Sequence, residues 1–415
     1  MDHEDLSEGR LECTVGDPRK ENDGTKNAYI SYLVTTNTDF QTFQSPNVSV
    51  RRRFTDFVFL YKTLVREYQH LAVPPLPDKH NMEYVRGDRF GADFTRRRAS
   101  SLSRFLKRLA QHPQLRRAAI LLTFLESSDW NATMKARPNR GASVTSESGG
   151  AGVFESFTDS FLNAFSKVHK ADKRFIEVRE RADKLDDDLN NVEKVVARVA
   201  RRQGDLETDY SDLATQFQKL VNLEPGVEGE LTSFAASVET NAQDWKKLRE
   251  HTDQDYLSSL RDMESYVITV KALLKARDQK QIDFEELTSY LQRAVSDRDQ
   301  LANQHGSSGL GASGFLRSKI EDVRGVDHEQ SRRERVRKLD LQIERLTKEV
   351  DDAKSVSELF DENVVRETQE FERIKAIEFR DTLGGFADAN IDFFKGTIET
   401  WEKFLEGMKT EEVAS

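Results

Sequence analysis

The chain of 415 residues has little cysteine, proline or glycine, and each shortage limits what it can be. Its one cysteine, Cys13, cannot form a disulfide within the chain, so we expect a reducing compartment and a strand position for this thiol. Only 8 prolines and 21 glycines interrupt a sequence with 33% charged and 37% hydrophobic residues. That composition is too charged for one compact globule and too apolar for disorder throughout, so it favours long helices flanked by solvent.

Long apolar runs are also missing. No stretch approaches the roughly 20 apolar residues that span a bilayer, and the best one, at residues 118–125, is broken by Thr123. The first residues are acidic and polar and fit neither a signal peptide nor a transit peptide. We therefore expect a cytoplasmic protein whose contact with membranes is peripheral.

Motifs of enzymes and metal sites are a third absence. The sequence has no phosphate-binding glycine loop, no nucleophile elbow, no HExxH and no metal-ligand cysteine pair. Its 8 histidines are scattered, and each is interpreted as structural or exposed. The sequence predicts a protein without catalytic residues, metal or cofactor.

Charge is unevenly distributed along the chain. The net charge is −10, but residues 47–117 hold 16 basic and 6 acidic residues, a local net of +10. A basic region within an acidic protein favours an anionic surface as its target. Nucleic acid would satisfy the charge alone, but no nucleic-acid-binding motif is present, so we expect no nucleic-acid partner.

Three adjacent arginines mark the centre of this basic region. Arg51, Arg52 and Arg53 end a short β-type run and precede Phe54 and an amphipathic helix. Held together at a sheet edge, such side chains repel one another without an anion, and an arginine fork binds phosphate bidentately. Neighbouring side chains on a strand point to opposite faces, so Arg52 is expected to face away from a pocket that contains Arg53. The alternative is a solvated run of charge at a strand end.

Two further pieces follow the arginines in order. A proline-rich stretch at 73–80 contains Lys79, and an arginine run ends at Arg98, four residues before the helical Leu102. With the arginine–aromatic pair at residues 53–54, this arrangement resembles the PX (phox-homology) domain over roughly residues 8–128. One departure is Phe54, where many PX domains carry tyrosine, so ring stacking is kept and a hydroxyl contact is lost.

The PX resemblance implies a pocket for the headgroup of phosphatidylinositol 3-phosphate. By position, Arg53 would hold the 3-phosphate, Phe54 would lie under the inositol ring, Lys79 would meet the 1-phosphate and Arg98 the ring hydroxyls. Tyr84 and Val85, between the last two, are candidates for contact with the membrane itself.

Domain boundaries follow from changes in composition. Residues 1–9 are expected to be a disordered tail, 10–130 the PX domain, 131–152 a linker rich in Ser and Gly, and 153–410 a helical dimerisation domain. In the PX domain, strands are predicted at about 10–15, 27–36 and 48–53, and helices from about 57, 91 and 114.

After the linker, apolar residues alternate in steps of three and four. The series runs from Phe175 to Leu220 over about six heptads, and only Gln203 interrupts it. Similar rhythms predict a second helix from about 229 to 303 and a third from about 327 to beyond Trp401. Helices of that length would be on the order of 75–130 Å long and would fold into an elongated antiparallel bundle.

Three long helices joined by a Pro-Gly turn and a Gly-rich loop resemble the BAR domain, whose dimers sense or impose membrane curvature. The alternative is a three-helix coiled-coil spacer. A PX domain followed by a BAR domain is the arrangement of the PX-BAR sorting nexin family, and residues 76–90 and 315–329 resemble its type-four group. The fold class is therefore expected to be multidomain: a small α+β domain, then an all-α, three-helix, BAR-type coiled coil.

This resemblance implies a non-enzymatic adaptor in endosomal sorting, recycling and autophagy, peripheral on endosomal and pre-autophagosomal membranes. It would form a homodimer, or a heterodimer with another PX-BAR sorting nexin. Two alternatives stay open: a retromer-type sorting nexin, and a coiled-coil scaffold that binds anionic membranes without headgroup choice.

Two segments outside the PX region are further candidates for membrane contact. A predicted helix at 153–168 carries Phe157, Phe161 and Phe165 on one side, and it either inserts into the bilayer interface or extends the coiled-coil seam. The basic run that contains Arg332, Arg333 and Arg335 either contacts membrane or is a solvated helix face.

Overall fold

The computed structural model describes residues 9–26, 28–77, 91–136, 172–303 and 328–414. It divides into two compact units. Of the described residues, the first unit holds those up to 136, 178–271 and 367 onward, and the second holds 172–177, 272–303 and 328–366. Each unit is described by itself below.

The first unit contains an antiparallel sheet of three strands in the order β1-β2-β3. The strands are β1 (Leu11–Glu21), β2 (Tyr29–Thr38) and β3 (Asn47–Arg53). Leu11, Cys13 and Val15 alternate with outward-facing residues and enter the core, as the period of two requires. The predicted three-stranded sheet is confirmed, and the thiol of Cys13 is a buried strand residue whose pKa burial raises to about 12.

The described part of the domain also contains four α-helices: α1 (Phe54–Glu67), α2 (Ala92–Gln111), α3 (Ala119–Glu126) and α4 (Trp130–Ala136), with a 3₁₀ turn at Leu115–Arg117. Edge-to-face aromatic pairs hold the centre of their core. The Phe124 ring lies 4.9 Å from Phe57 and 5.1 Å from Trp130, measured between centroids. Helix α4 continues six residues into the segment that the sequence assigns to the linker, and residues 137–152 lie outside the described ranges.

Long helices make up the rest of the described chain. They are α5 (Lys173–Val221), α6 (Glu228–His251), α7 (Ser258–Asn303) and α8 (His328–Ala414). The second predicted helix, from about 229 to 303, is confirmed in extent, but a π-helical turn at Thr252–Leu257 divides it into α6 and α7. Among the described residues, no helix is both long and apolar enough to cross a lipid bilayer.

Aromatic contacts pack the helices of the first unit. The Phe234 ring of α6 lies 4.6 Å from Phe217 of α5, and Trp245 of α6 lies 4.4 Å from Phe393 of α8. Tyr256, in the π turn, stacks on Phe386 of α8 at 4.6 Å. The apolar periodicity predicted from the sequence is therefore the packing surface of these helices.

A buried ion pair holds the second unit. Arg277 of α7 donates from Nε and Nη2 to the two carboxylate oxygens of Asp361 of α8, at 2.6 and 2.9 Å. Its guanidinium carbon lies 4.2 Å from the ring centroid of Phe175 of α5. Asp361 thereby compensates the positive charge of Arg277, which would be energetically costly to bury without a partner.

The apolar series of α5 faces two directions. Ala182, Leu189, Val196 and Gln203 recur every seven residues and are buried, so the polar residue that interrupts the pattern nevertheless belongs to the core. A second set at heptad spacing is exposed: Val192, Val199, Leu213 and Leu220. The single seam expected from the sequence is thus two seams, of which one stays exposed among the described residues.

Candidate functional site

Arg53 stands where β3 ends and α1 begins. Its backbone N–H donates to Asp56 Oδ2 at 2.9 Å, and its side-chain Nε donates to Asp56 Oδ1 at 3.3 Å. The side chain of Arg53 is 44% exposed and that of Asp56 only 9%. Burial raises the pKa of the Asp56 carboxyl, while the hydrogen bonds and charge of Arg53 act in the opposite direction. Asp56 thereby fixes the base of an arginine whose tip reaches solvent.

Arg52 has a different environment, on the opposite face of β3. Its guanidinium is buried, and it donates to Phe124 O at 2.8 and 3.0 Å and to Ser127 O at 2.5 Å. These are carbonyls at the end of α3, which has no further intrahelical donors for them. Burial lowers the pKa of Arg52 to about 10. Arg52 faces away from Arg53, as strand alternation predicts, and it caps a helix of the core.

The third arginine also has protein partners. Arg51 donates to the side chain of Asp17 and, at 3.1 Å, to the hydroxyl of Ser31. The expectation of three mutually repelling arginines is therefore wrong, because carboxylates or carbonyls compensate each one separately. Only Arg53 of the three is classed as exposed.

Arg98 lies between two phenyl rings. Its guanidinium carbon is 4.4 Å from the ring centroid of Phe54 and 4.3 Å from that of Phe94. Phe94 and Arg98 are four residues apart on α2, so both side chains lie on the same helix face. Phe54 is the first residue of α1, next to Arg53. Cation–π contacts of this kind help to hold the guanidinium of Arg98 in position.

The structure thus brings together three residues that the sequence singles out: Arg53, Phe54 and Arg98. Two residues that the sequence analysis missed complete the arrangement. Phe94 covers one face of Arg98, and Tyr29 of β2 lies 5.8 Å from the guanidinium of Arg53, measured to its ring centroid. The helical spacing of Phe94 from Arg98 was available in the sequence, whereas the proximity of Tyr29 depends on the strand register.

Other candidate residues are placed as follows. Lys79, Tyr84, Val85, Phe157, Phe161 and Phe165 lie outside the described residues. Arg332, Arg333 and Arg335 occupy the beginning of α8 in the second unit, where Arg332 and Arg333 pair with Glu329. These pairs are compatible with the solvated-face interpretation and leave membrane contact a hypothesis.

The opposite side of α2 is bound to the long helices of the first unit. Arg97 pairs with Asp253 of the π turn at 2.9 Å, and Arg104 pairs with Asp262 of α7 at 2.7 Å. Arg108 is buried and donates from Nε and Nη2 to both carboxylate oxygens of Glu378 of α8, at 2.8 and 2.7 Å. The charge of Arg108 lowers the pKa of Glu378 against the effect of burial. The helix that carries Arg98 is therefore fixed to the helical region.

Comparison with known families identifies two matching regions. The PX domain family matches residues 40–128, and the family described as Vps5 C terminal like matches residues 150–310. The residues of the candidate site described above thus lie, apart from Tyr29, within the first match.

Curated relatives match nearly the whole chain. Sorting nexin-4 of Emericella nidulans is 63% identical over 418 residues, covering 99% of this chain and 86% of that protein. Sorting nexin-4 of Neurospora crassa is 59% identical over 434 residues, covering 100% and 88%. Sorting nexin-4 of Cryptococcus neoformans is 38% identical over 398 residues, covering 95% and 80%.

Among solved structures, the cryo-EM structure of the SNX-BAR Mvp1 tetramer is similar, with a TM-score of 0.62. The match covers 95% of this chain and 99% of that one at 16% identity. At that identity the likeness concerns the fold, which combines the same two kinds of domain.

Proposed function

Because the chain belongs to the sorting nexin-4 family, and hence to the membrane-associated trafficking adaptors with a PX domain and a BAR-like region, we propose that it binds phosphatidylinositol 3-phosphate. The lipid would recruit the protein to endosomal and pre-autophagosomal membranes, where it acts in sorting, recycling and autophagy. Its role there is that of an adaptor without catalytic activity.

The observation that carries this proposal is that Arg98 lies on the ring of Phe54, the residue next to the exposed Arg53. Among the described residues, the side chain of Arg53 donates hydrogen bonds only to Asp56, through Nε, and Nη1 and Nη2 can form a fork to a phosphate. The next residue, Phe54, provides an aromatic ring, and the guanidinium of Arg98 lies 4.4 Å from its centroid. Guanidinium groups and an aromatic ring of this kind can bind a phosphate that is attached to a hydroxylated ring.

For the remaining candidate residues, the proposed roles rest on their positions in the sequence. Lys79 would meet the 1-phosphate, and Tyr84 and Val85 would contact the membrane. Phe157, Phe161 and Phe165 would either enter the interface or extend the seam. Arg332, Arg333 and Arg335 would contact anionic lipid from α8.

Dimerisation is the second part of the proposed function. The exposed heptad series on α5 has a counterpart on α8, where residues separated by three, four and seven positions form one apolar stripe. Its members are Ile391, Phe394, Ile398, Leu405 and Met408. Two seams that stay exposed in the described part of one compact unit support a second helical chain as their partner, either another copy or another PX-BAR sorting nexin. A curved dimer would couple lipid recognition to membrane curvature.

Vesicle binding tests the headgroup proposal. Vesicles of equal total charge, containing either phosphatidylinositol 3-phosphate, another phosphoinositide or phosphatidylserine, are sedimented with the protein at two salt concentrations. We expect clear preference for the 3-phosphate lipid at both salt concentrations. Binding that follows total charge and fades equally on all vesicles with added salt would instead support a scaffold without headgroup choice.

A further inference from the structure

The segment that leaves α1 is anchored by a residue from the far end of the chain. Residues 71–77 include three prolines, which have no N–H, so only four of these residues can donate a backbone hydrogen bond. One of the four is Ala72, which is fully buried and donates to Oε1 of Glu367 of α8 at 3.0 Å. A buried carboxylate on a long helix therefore supplies the acceptor for this proline-rich segment.

The other oxygen of Glu367 binds His112, the residue that ends α2. His112 Nδ1 accepts hydrogen bonds from the N–H groups of Gln114 and Leu115, both at 3.2 Å, so the ring proton lies on Nε2. Nε2–H donates to Glu367 Oε2 at 2.9 Å. The side chains of His112 and Glu367 are 1% and 2% exposed. Both oxygens of one buried carboxylate are thus used to hold two segments of the PX domain.

From these contacts we infer that Glu367 is a positioning residue for phosphoinositide binding, although it lies outside the PX domain. Glu367 fixes the beginning of the segment 71–77, which is described as far as Pro77, two residues before Lys79 in the sequence. Through His112 it also holds the end of α2, but Glu378 holds the same helix through Arg108, so the contact with segment 71–77 is what distinguishes Glu367. This inference rests on the proposed lipid binding and assigns a part of it to the helical region.

The mechanism is the loss of two acceptors at once. In Glu367→Ala, the N–H of Ala72 and Nε2–H of His112 become buried donors without partners, which proteins strongly avoid. Segment 71–77 would then shift so that the N–H of Ala72 reaches water, because its few other backbone donors cannot hold it in place. Displacement of segment 71–77 would thereby lower the affinity for the phosphoinositide headgroup.

Glu378 provides a matched control on the same helix. It is also buried and makes a stronger contact with the PX domain, the bidentate pair with Arg108, but it does not touch segment 71–77. Glu378→Ala therefore weakens the attachment of the PX domain as such. If Glu367 has a specific role, Glu367→Ala and Glu378→Ala must differ in their affinity for the phosphoinositide.

The experiment compares full-length parent, Glu367→Ala and Glu378→Ala on vesicles containing phosphatidylinositol 3-phosphate or an equal charge of phosphatidylserine. We expect Glu367→Ala to lose about tenfold in affinity for the phosphoinositide, with much less change on phosphatidylserine. Hydrogen exchange should accelerate at Ala72 and Val73. Glu378→Ala should keep the parent's phosphoinositide preference and its protection of these two amides.

Two results would overturn the inference. One is a phosphoinositide affinity of Glu367→Ala equal to the parent's. The other is an equal loss of phosphoinositide affinity in Glu367→Ala and Glu378→Ala, which would show that Glu367 only attaches the PX domain to the helices. If Glu367→Ala does not fold, Glu367→Gln replaces it, because glutamine keeps the size of the side chain and one acceptor oxygen. We expect the phosphoinositide affinity of Glu367→Gln to be about threefold weaker than the parent's and that of Glu378→Gln to be unchanged. A parent protein without any headgroup preference would refute the proposed function itself, before the variants are compared.

Discussion

Arg52 and Arg53 are neighbours on β3, and their guanidinium groups lie on opposite faces of the strand. The buried group of Arg52 holds the carbonyls of Phe124 and Ser127, whereas Arg53 reaches solvent. The guanidinium of Arg52 binds carbonyls of the core, whereas Asp56 orients Arg53, for which we propose an anion as ligand. At the scale of single residues, burial therefore separates a structural role from the proposed binding role.

Arg52→Ala should destabilise the PX domain. It removes a buried cation with four hydrogen bonds, three of which go to carbonyls at the end of α3. These carbonyls then lack donors, and we expect the free energy of unfolding to fall by about 2–4 kcal/mol. Thermal denaturation measures the loss, and hydrogen exchange locates it in residues 119–136. Arg66→Ala, an exposed arginine near the end of α1, should change stability by less than about 0.5 kcal/mol. Equal effects of the two changes would contradict a structural role of Arg52.

Phe94 is expected to influence lipid binding without contacting the 3-phosphate. Phe94→Leu removes the ring 4.3 Å from the guanidinium carbon of Arg98 but keeps apolar bulk. Loss of a cation–π contact should weaken binding to phosphatidylinositol 3-phosphate vesicles by about three- to tenfold. Phe94→Tyr keeps the aromatic face and should bind as the parent does. If Leu and Tyr bind equally well, the ring does not orient Arg98.

At the scale of secondary-structure elements, the helices α5 and α8 carry apolar side chains that no described residue covers. The spacing of apolar residues in the sequence predicts these helices and their seams well, because a heptad repeat depends on local order alone. It cannot tell which seam meets a helix of the same chain, since Val192 and Val196 both satisfy the rhythm while one is exposed and the other buried. The π turn at Thr252–Leu257 is likewise invisible, because its sequence continues the helical pattern.

The stripe on α8 should be the surface that dimerises. Phe394→Glu with Ile398→Glu places two charges on residues that are 60% and 57% exposed in the chain. Burying them in an apolar interface should weaken the dimer by at least about 100-fold while leaving the helices intact. Light scattering of the parent should give twice the chain mass of 47.6 kDa for a homodimer, or the sum of the two chain masses with a partner, and the variant should give the monomer.

Lys403→Glu introduces a charge at an exposed position of α8 outside the stripe and serves as the control. It should leave the dimer unchanged. A parent that is monomeric under all conditions, or a double variant that dimerises like the parent, would show that the stripe has another purpose.

For the whole molecule, the order of domains and most element boundaries could be predicted from the sequence. Arg53, Phe54 and Arg98 could be selected as well, because an arginine–aromatic pair and a helical arginine occur at spacings typical of PX domains. The contacts of Glu367 could not, since they join residues 295 and 255 positions apart and follow from tertiary packing. The partners of Arg51 and Arg52 could not be predicted either, because they come from distant segments of the chain.

The account depends most on Arg53, so the decisive measurement is the affinity of full-length Arg53→Ala for vesicles containing phosphatidylinositol 3-phosphate. A guanidinium fork to a phosphate makes two charge-assisted hydrogen bonds, so their loss should lower the affinity by about two orders of magnitude. Arg53→Lys should restore little, because an ammonium group cannot reproduce the fork. Arg66→Ala, with the same loss of charge, should bind nearly as the parent does. If Arg53→Ala and Arg66→Ala instead weaken binding equally, and only in proportion to charge and salt, then Arg53 belongs to a general anionic-membrane patch and the headgroup site does not exist.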